Sequence, residues 1–487
     1  MIRAAIVGAG IVGAAIARAL ARDGVAVVVL DDRPIGSGAT AAGMGHVVAM
    51  DDSEAQFALC RYSRDLWDGL AADLPPGAEH RRSGTIWVAA DDEERDEVGR
   101  KADFYAGHGV EAEVLDPVGL ARIEPNLRPG LLGGLRVPGD SVLYPPVAAG
   151  YLIGQAVKLG AEVRLDAPVV GIGGGRVRLA DGSRVEADLV INAAGTRAAR
   201  LSPGLAIRPR KGHLVITDRH PGFVTHQILE LGYLRSAHGS ESASVAFNVQ
   251  PRATGQLLIG SSRQYDADGP EVEPAMVRRM VDRALLYMPG LANLSAIRAW
   301  AGFRAATPDS LPIIGPHPED PRLYLAAGHE GLGITTSLGT AELIADRIAG
   351  RPSAIPAAPY LPSRFLTVPQ SIPSDAGPGF PIEKVTNDFR LEYPQLTHFE
   401  PRPMPDEAIL LTIDGHPHRV EAGTSVAVAM MMARGPATGR SVSGRPRGPL
   451  CGMGICFECR ATVDGRPQRT TCQTPCRPGM EVMTDAD

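Results

Sequence analysis

The sequence predicts an α/β protein of the Rossmann type that ends in a small cysteine-rich domain. Three observations support this fold class. Strand and helix patterns are mixed through the first 366 residues, a glycine-rich turn joins the first strand to the first helix, and five of the six cysteines fall within residues 451–476. We therefore expect two parts of very different size and chemistry.

Length and charge limit the class of protein. The chain has 487 residues with 49 basic and 55 acidic side chains, and its formal net charge is −6. This length suggests roughly two to four domains and excludes a disordered chain or a disulfide scaffold. A mildly acidic chain without a lysine-rich run argues against nucleic acid as the main partner. No apolar stretch is long enough for a transmembrane helix, and the cytoplasm is the expected compartment.

The N-terminal segment has the pattern of a βαβ unit. Residues 4–7 read as a buried strand, 11–22 as a helix and 25–30 as a second buried strand. Two buried strands joined by a helix imply a parallel sheet.

The turn of this unit has the spacing GxGxxG. Gly8 allows the tight turn, Gly10 lets a pyrophosphate approach the backbone, and Gly13 lets the helix pack against the sheet. Asp31 ends the second strand, where a carboxylate accepts hydrogen bonds from a ribose. The segment therefore predicts a dinucleotide site, and by itself it fits NAD and FAD equally.

The later segments continue the α/β pattern. Strands are predicted at 163–165, 176–179, 189–192, 257–260 and 323–326, and helices at 147–159, 276–287 and 336–348. Twelve prolines between residues 352 and 405 predict an extended linker that separates two independent cores. A hairpin and a helix near residues 425–434 follow.

Several motifs resemble the D-amino-acid oxidase/glycine oxidase family of FAD enzymes, which includes sarcosine, hydroxyproline and opine dehydrogenases. They are GSGATAAG (36–43), DLVINAAG (188–195), WAGFR (300–304), TPD (307–309), PIIG (312–315), GH (328–329) and RF (364–365). The resemblance covers residues 1–366 and implies a Rossmann-type FAD-binding domain with an α+β substrate domain. The implied FAD-binding parts are 1–45, 145–210 and 305–366, the substrate parts 46–144 and 211–304, and the linker 367–403.

Glycine spacing and resemblance together assign the cofactor site. The loop at 328–333 precedes a helix whose N-terminal amides face developing negative charge on the cofactor. The residues expected to bind FAD are Gly8, Gly10, Ile11, Val12, Gly13, Asp31, Asp32, Gly38, Ala39, Thr40, Gly43, Met44, Gly45, Val169, Ala194, Gly195, Gly302, Arg304, Gly328, Gly331, Leu332, Gly333, Ile334 and Thr335.

The resemblance also implies that Arg304 pairs with a substrate carboxylate, because a guanidinium fork holds a carboxylate bidentately. The family's second anchoring arginine, two residues after His329, is absent, which implies a substrate of different shape or polarity. Glu330 is either a partner for a substrate cation or a solvent-facing carboxylate. The expected catalytic residues are Arg304, Tyr233, His329 and His46, and His213 is weighed as a pocket or core residue.

The chain has no second GxGxxG motif. The glycine-rich run 171–175 lacks that spacing and reads as a hairpin turn. We therefore expect no NAD site.

The C-terminal cysteines have the spacing of a plant-type ferredoxin. Cys451, Cys456 and Cys459 follow the pattern C-x4-C-x2-C, and Cys472 supplies the fourth thiolate of a 2Fe-2S cluster. Zinc is the alternative, but zinc sites pair CxxC with CxxC or with histidines. Cys476 is either a packed thiol or a substitute for Cys472.

Residues 404–487 resemble the small β-grasp-like ferredoxin module of sarcosine oxidases, opine oxidases and hydrogen cyanide synthase. The resemblance is carried by SGRPRGPL (443–450) and RPGM (477–480). In those systems the module works beside a second flavoprotein subunit, which is therefore an expected partner here. Arginines 440, 445, 447, 466 and 469 are candidates for docking an acidic partner.

FAD beside a one-electron carrier predicts a dehydrogenase more than an oxidase. We expect oxidation of the C–N bond of a small amino or imino acid, with a D-amino acid, hydroxyproline, an opine or a sarcosine-like compound as substrate. Electrons would pass from FAD through the cluster to a partner. The alternatives are glycine oxidation to cyanide and a non-catalytic electron-transfer subunit.

Overall fold

The computed structural model describes residues 2–232, 243–265, 267, 269–365, 408–435, 439–440, 446–449 and 459–484. In these residues no helix has the length and apolar character needed to cross a membrane. The α-helices are Ile11–Arg22, Ala39–Ala42, Glu54–Leu70, Asp92–Gly107, Pro117–Ile123, Pro145–Lys158, Ala198–Leu201, Pro274–Tyr287, Gly333–Ala349 and Val426–Arg434. Short 3-10 helices are Pro76–Ala78, Gly195–Arg197, Pro289–Asn293, Ala358–Tyr360, Pro362–Arg364 and Thr471–Gln473.

A six-stranded sheet contains the N-terminal βαβ unit at its centre. Its strand order is Ile313–His317, Asp320–Ala327, Leu189–Asn192, Arg3–Val7, Ala26–Leu30 and Glu162–Arg164. Neighbouring strands are parallel except for the first pair. The two strands of the βαβ unit are almost entirely buried, as in sheets that are covered on both faces.

Helices cover one face of this sheet and a small sheet covers the other. Helices Ile11–Arg22, Pro145–Lys158 and Gly333–Ala349 share one apolar core with the first face. A three-stranded antiparallel sheet packs on the other face, in the order Arg184–Glu186, Arg176–Leu179 and Val169–Gly173. The predicted hairpin turn is therefore shorter than expected, because residues 171–173 belong to a strand.

An eight-stranded sheet forms the second layer of the molecule. Its order is Ala296–Ala306, Arg208–Thr217, Leu257–Gln264, Ala243–Pro251, Gln227–Glu230, Thr85–Ala89, Gly133–Val137 and Glu113–Leu115. Helix Pro274–Tyr287 packs on one side of it, and residues of helices Glu54–Leu70 and Asp92–Gly107 pack on the other. The short pair His46–Val47 and Ser141–Val142 lies outside this sheet.

The C-terminal domain is a five-stranded sheet with one helix. The strand order is His416–Val420, Ile409–Ile413, Glu481–Met483, Arg460–Val463 and Arg466–Thr470, and a separate short pair is Gly439–Arg440 with Pro446–Arg447. Helix Val426–Arg434 contributes to this core. The predicted linker 367–403 lies outside the described residues.

The C-terminal domain has an apolar core of its own. Val428, on the helix of that domain, also packs in a smaller apolar cluster with Met44 and Leu214 from the first part of the chain. A proline-rich sequence indicates extended chain, but it carries no information on whether the flanking domains then pack together.

Candidate functional site

The larger cavity lies at the carboxyl ends of the parallel strands. Its lining includes Gly8, Asp31, Ala193 and Gly328, each of which follows one of four neighbouring strands. Parallel α/β sheets bind ligands at this edge.

The glycine turn leaves no space for side chains. Gly8 has φ of +114°, and a Cβ there would lie 2.5 Å from the carbonyl oxygen of Ala193. A Cβ on Gly13 would lie 1.9 Å from the Gly8 oxygen. The helix that begins at Ile11 therefore starts directly at the cavity, and its N-terminal amides can face a pyrophosphate.

Asp31 and Asp32 have different surroundings. The buried Asp31 carboxylate accepts hydrogen bonds from the Ala9 and Arg33 amides at 2.7 and 3.0 Å. Burial raises the pKa of Asp31, and these amides oppose that effect. Asp32 accepts a 2.8 Å hydrogen bond from Arg197, which holds its pKa well below the usual range. Asp31 is thus the carboxylate available to a ribose, and Asp32 fixes Arg197 at the cavity wall.

A second wall of the cavity is formed where the short helix Ala39–Ala42 meets the long strand Ala296–Ala306. A Cβ on Gly302 would lie 2.3 Å from the Ala42 Cβ, and a Cβ on Gly43 would lie 2.8 Å from Ile334. The Trp300 indole donates to the Ala42 carbonyl at 3.3 Å. The glycines at these positions therefore bring the backbone close around the cavity.

Most of the residues predicted to bind the cofactor line this cavity. They are Gly8, Gly10, Ile11, Val12, Asp31, Gly38, Ala39, Thr40, Gly43, Met44, Gly45, Ala194, Gly195, Gly302, Arg304, Gly328, Gly331, Gly333 and Ile334. Sequence reasoning did not name Arg197, Leu214 or Asn248, which also line it. No local motif marks these residues.

Five of the predicted residues do not line the cavity. Gly13 packs against Gly8, Asp32 binds Arg197, and Val169 lies in the core under the sheet. Thr335 donates to the His46 carbonyl at 2.9 Å, and Leu332 lines an adjoining pocket instead. These positions therefore support the cavity wall or the adjoining pocket instead of lining the ligand space.

The adjoining pocket is smaller than the cavity and shares His46, Glu330 and Gly331 with it. Trp87 and Leu229 give it an apolar side. The shared residues make the pocket a natural place for a substrate beside the cofactor.

Arginines surround Glu330 in this region. Arg210 and Arg263 line the pocket and are 6% and 3% exposed, and Arg210 lies 3.5 Å from the Glu330 carboxylate. Arg304 lies directly opposite Arg210 on the neighbouring antiparallel strand. Burial alone raises the pKa of Glu330, but Arg304, Arg263 and Arg210 together lower it. Glu330 is therefore an ionised group inside the site rather than a solvent-facing one.

The cavity is lined by two histidines, the half-buried His46 and the buried His329. Burial lowers the pKa of His46 to about 4 and that of His329 to about 3. His329 Nε2 lies 3.0 Å from the Thr340 hydroxyl. Both side chains are therefore neutral at pH 7. His213 is a core residue that bonds Ser262 and the Glu273 amide, and Tyr233 lies outside the described residues.

The described cysteines of the C-terminal domain separate into two environments. Cys459 and Cys472 pack together with Ala427. Cys476 lies in the domain core, and burial raises the pKa of its thiol to about 12. Cys451 and Cys456 lie outside the described residues. The paired, buried Cys459 and Cys472 fit a shared cluster better than the separate Cys476 does.

Comparisons with known proteins agree with both sites. The FAD dependent oxidoreductase family matches residues 3–347, and a 2Fe-2S iron-sulfur cluster binding domain matches residues 406–487. These matches confirm the predicted fold class and identify the cofactors as FAD and a 2Fe-2S cluster.

Individual relatives are amino-acid oxidising enzymes. The chain is 30% identical to a D-amino acid dehydrogenase of Xanthobacter autotrophicus over 63% of this chain and 73% of that one. The crystal structure of glycine oxidase from Geobacillus kaustophilus matches with a TM-score of 0.68 and 28% identity, over 75% of this chain and all of that one. Iminodiacetate oxidase from Chelativorans matches with a TM-score of 0.63 and 25% identity, over 74% and 99% of the two chains.

Replacing Gly302 by Ala is expected to weaken FAD binding. The added methyl group would overlap Ala42, and overpacking of this kind typically costs about 1–3 kcal/mol. Gly150→Ala is the matched control, because nothing lies within 4 Å of a Cβ at that helical position. The flavin content of the purified variants measures the effect. Equal flavin content in the two variants would contradict the tight wall at Gly302.

His329 is expected to make the protein less stable as the pH falls. The unfolded histidine binds a proton near pH 6.5, whereas the buried one does so only near pH 3. Protonation therefore favours the unfolded state between pH 7 and pH 5, by about 2 kcal/mol for this residue. Urea unfolding at pH 7 and at pH 5 should show a smaller loss of unfolding free energy in His329→Gln than in the wild type. A loss as large as in the wild type would show that His329 is not held neutral.

Proposed function

The chain belongs to the FAD-dependent oxidoreductase family and carries a 2Fe-2S cluster-binding domain, and from this premise we propose a dehydrogenase for small amino or imino acids that carry a second carboxylate. The C–N bond of the substrate is oxidised, and the electrons leave through the cluster. Bound FAD supplies the two-electron acceptor for the hydride.

The observation that carries this proposal is the placement of three arginines around Glu330. Arg304 lines the cofactor cavity, Arg210 and Arg263 line the adjoining pocket, and all three lower the pKa of Glu330. A substrate with two carboxylates can place one against Arg304 and the other against Arg210 and Arg263, whereas a substrate with one carboxylate engages only one of these positions.

Each charged residue has a separate task in this proposal. Arg304 lines the cofactor cavity and holds the carboxylate next to the reacting carbon, so that the Cα hydrogen faces the cofactor. Arg210 and Arg263 hold the second carboxylate in the adjoining pocket. Glu330 accepts a hydrogen bond from the amine between them. No general base is required, because a neutral amine can lose hydride directly.

The apolar side of the pocket keeps water from the reacting carbon. Trp87 and Leu229 are buried, and Leu332 lies on the same wall. Neutral His46 adds no charge where the two cavities meet. A dry pocket strengthens the arginine–carboxylate pairs that orient the substrate.

Glycine is a poorer fit to this pocket. Its single carboxylate engages Arg304 and makes no contact with Arg210 and Arg263 in the adjoining pocket. Oxidation of glycine, to cyanide or otherwise, therefore has less support than oxidation of an imino diacid. Iminodiacetate, the compound in the name of one structural relative, has the required two carboxylates on one amine.

The final electron acceptor belongs to the same proposal. A second flavoprotein subunit is the acceptor that the small ferredoxin-like module suggests. Arg466 and Arg469 are exposed on an edge strand of the C-terminal sheet, where they can meet an acidic surface. Transfer to this partner should then weaken as salt is added.

Substrates are tested by anaerobic bleaching of the flavin. Iminodiacetate, D-glutamate, N-methylglycine, D-alanine and glycine are compared with the wild-type chain. The diacids should bleach the flavin at concentrations about tenfold lower than the monoacids, since a lost charge-assisted hydrogen bond costs roughly 1.5–3 kcal/mol. Glycine as the best substrate would contradict the proposal.

Arg263→Met is expected to affect diacids selectively. Loss of the guanidinium should raise the half-saturating concentration of a diacid about tenfold or more, and that of a monoacid much less. Arg278→Met is the control, because the Arg278 side chain is 85% exposed on a helix surface. Steady-state kinetics with an electron-accepting dye measure both values. An equal loss for diacids and monoacids would assign Arg263 to the first carboxylate or to the fold.

A further inference from the structure

An apolar contact joins the cluster domain to the wall of the cofactor cavity. Val428 is buried in a cluster with Met44, Leu214, Ile216, Leu258 and Ile297, and Met431 and Trp300 pack against it. Met44 and Leu214 also line the cofactor cavity. The cluster therefore lies between the cavity and the helix Val426–Arg434, which we call the docking helix.

The docking helix also contacts the cysteines. Ala427 packs with Cys459 and Cys472, and it directly precedes Val428 in the chain. Consecutive residues of one helical turn thus contact the proposed cluster ligands and the wall of the cofactor cavity. No solvent layer is needed between the two.

A carboxylate of the first part of the chain caps the docking helix. Ser425 is the N-cap residue, and its amide donates a 2.8 Å hydrogen bond to Asp218. In a capping box this amide is usually bound by a Glu or Gln at the third helical position, which here is Val428. Asp218 replaces that residue from outside the domain, and its negative charge favours the helix N-terminus.

The cap is fixed in place and buried. Asp218 is 2% exposed, and its other carboxylate oxygen accepts from the Arg219 amide at 2.8 Å. The Arg219 side chain donates to the Gln473 carbonyl at 3.3 Å, next to Cys472. The cap, the apolar cluster and the Arg219 contact hold one orientation of the domain.

We propose that the docking helix is the electron bridge between the flavin and the cluster of the same chain. Asp218 is the positioning residue that fixes the N-terminus of this helix. This inference rests on the proposed function, since it assumes that electrons leave through the cluster. Each substrate molecule loses two electrons and two protons. The Cα hydrogen leaves as hydride, whose proton is released when its two electrons pass on, and the nitrogen loses the other proton. The electrons cross the contact one at a time because a 2Fe-2S centre takes a single electron, and a one-electron acceptor in solution removes both.

The test uses the full chain with both cofactors bound. Val428→Asp places a charge in the shared apolar cluster and leaves the core of the cluster domain untouched, because Val428 is not part of that core. Asp218→Ala removes the cap. Met432→Asp is the matched control, because Met432 lies on the same helix and is 66% exposed. Flavin and iron contents verify that each variant is loaded.

Cluster reduction is followed by its electron paramagnetic resonance signal and by absorbance. Electrons enter the flavin either from substrate or by light with EDTA. In Val428→Asp and Asp218→Ala the cluster should be reduced at least about tenfold more slowly than in the wild type, with unchanged flavin bleaching. Hydrogen exchange of the docking-helix amides should rise by a similar factor. Met432→Asp should match the wild type in both measurements.

The possible results test the proposed electron bridge and the proposed substrate oxidation separately. If light-driven cluster reduction is equally fast in all four proteins while helix exchange rises in two, the bridge proposal is wrong and electrons use another route. Failure of every substrate to bleach the flavin would overturn the proposed function, whereas the light-driven measurement would still decide the bridge. If loss of iron accompanies Val428→Asp, Asp218→Ala decides the question alone.

Discussion

The alternation of side chains along one strand connects the whole molecule. Successive residues of a strand point to opposite faces, so every second residue of Arg208–Thr217 shares a face. Along that face Arg210 lines the adjoining pocket, and Gly212 and Leu214 line the cofactor cavity. Ile216 packs in the apolar cluster that contains Val428 of the docking helix. Asp218, one step further, caps that helix. A register shift of one residue would remove all of these contacts together.

The neighbouring strand Ala296–Ala306 imposes a second constraint beside Arg210. Arg210 faces Arg304 directly in the antiparallel register, and like charges in this position repel. Glu330 relieves the repulsion, because its amide donates a hydrogen bond to the Ala305 carbonyl and its carboxylate interacts electrostatically with both Arg210 and Arg304. Gly212 gives the Arg304 side chain room, since a Cβ there would lie 2.2 Å from its Nη1 atom. The site thus concentrates positive charge at a cost that an anionic substrate can offset.

Sequence reasoning succeeded where the signal is local. The glycine turn, Asp31 and the strand boundaries within the parallel sheet follow from spacing and burial period over a few residues. Helix Pro145–Lys158 began two residues before the predicted start, because proline is tolerated in a first turn. Arg210, Arg263 and the docking contact could not be predicted in this way. They depend on strands and a domain that are distant in sequence, and in a chain so rich in arginine a single arginine carries little information.

Covalent fusion favours the contact between the cluster domain and the first part of the chain. Among the described residues, one carboxylate cap, one side-chain hydrogen bond and a cluster built on Val428 and Met431 join the two parts. Because both parts belong to one chain, the domain meets its site at an effective concentration that does not depend on the protein concentration. The contact therefore needs less buried area than a stable contact between separate proteins. Such an interface suits the proposed electron path, in which the domain receives electrons at one surface and presents its cluster to a further acceptor at another.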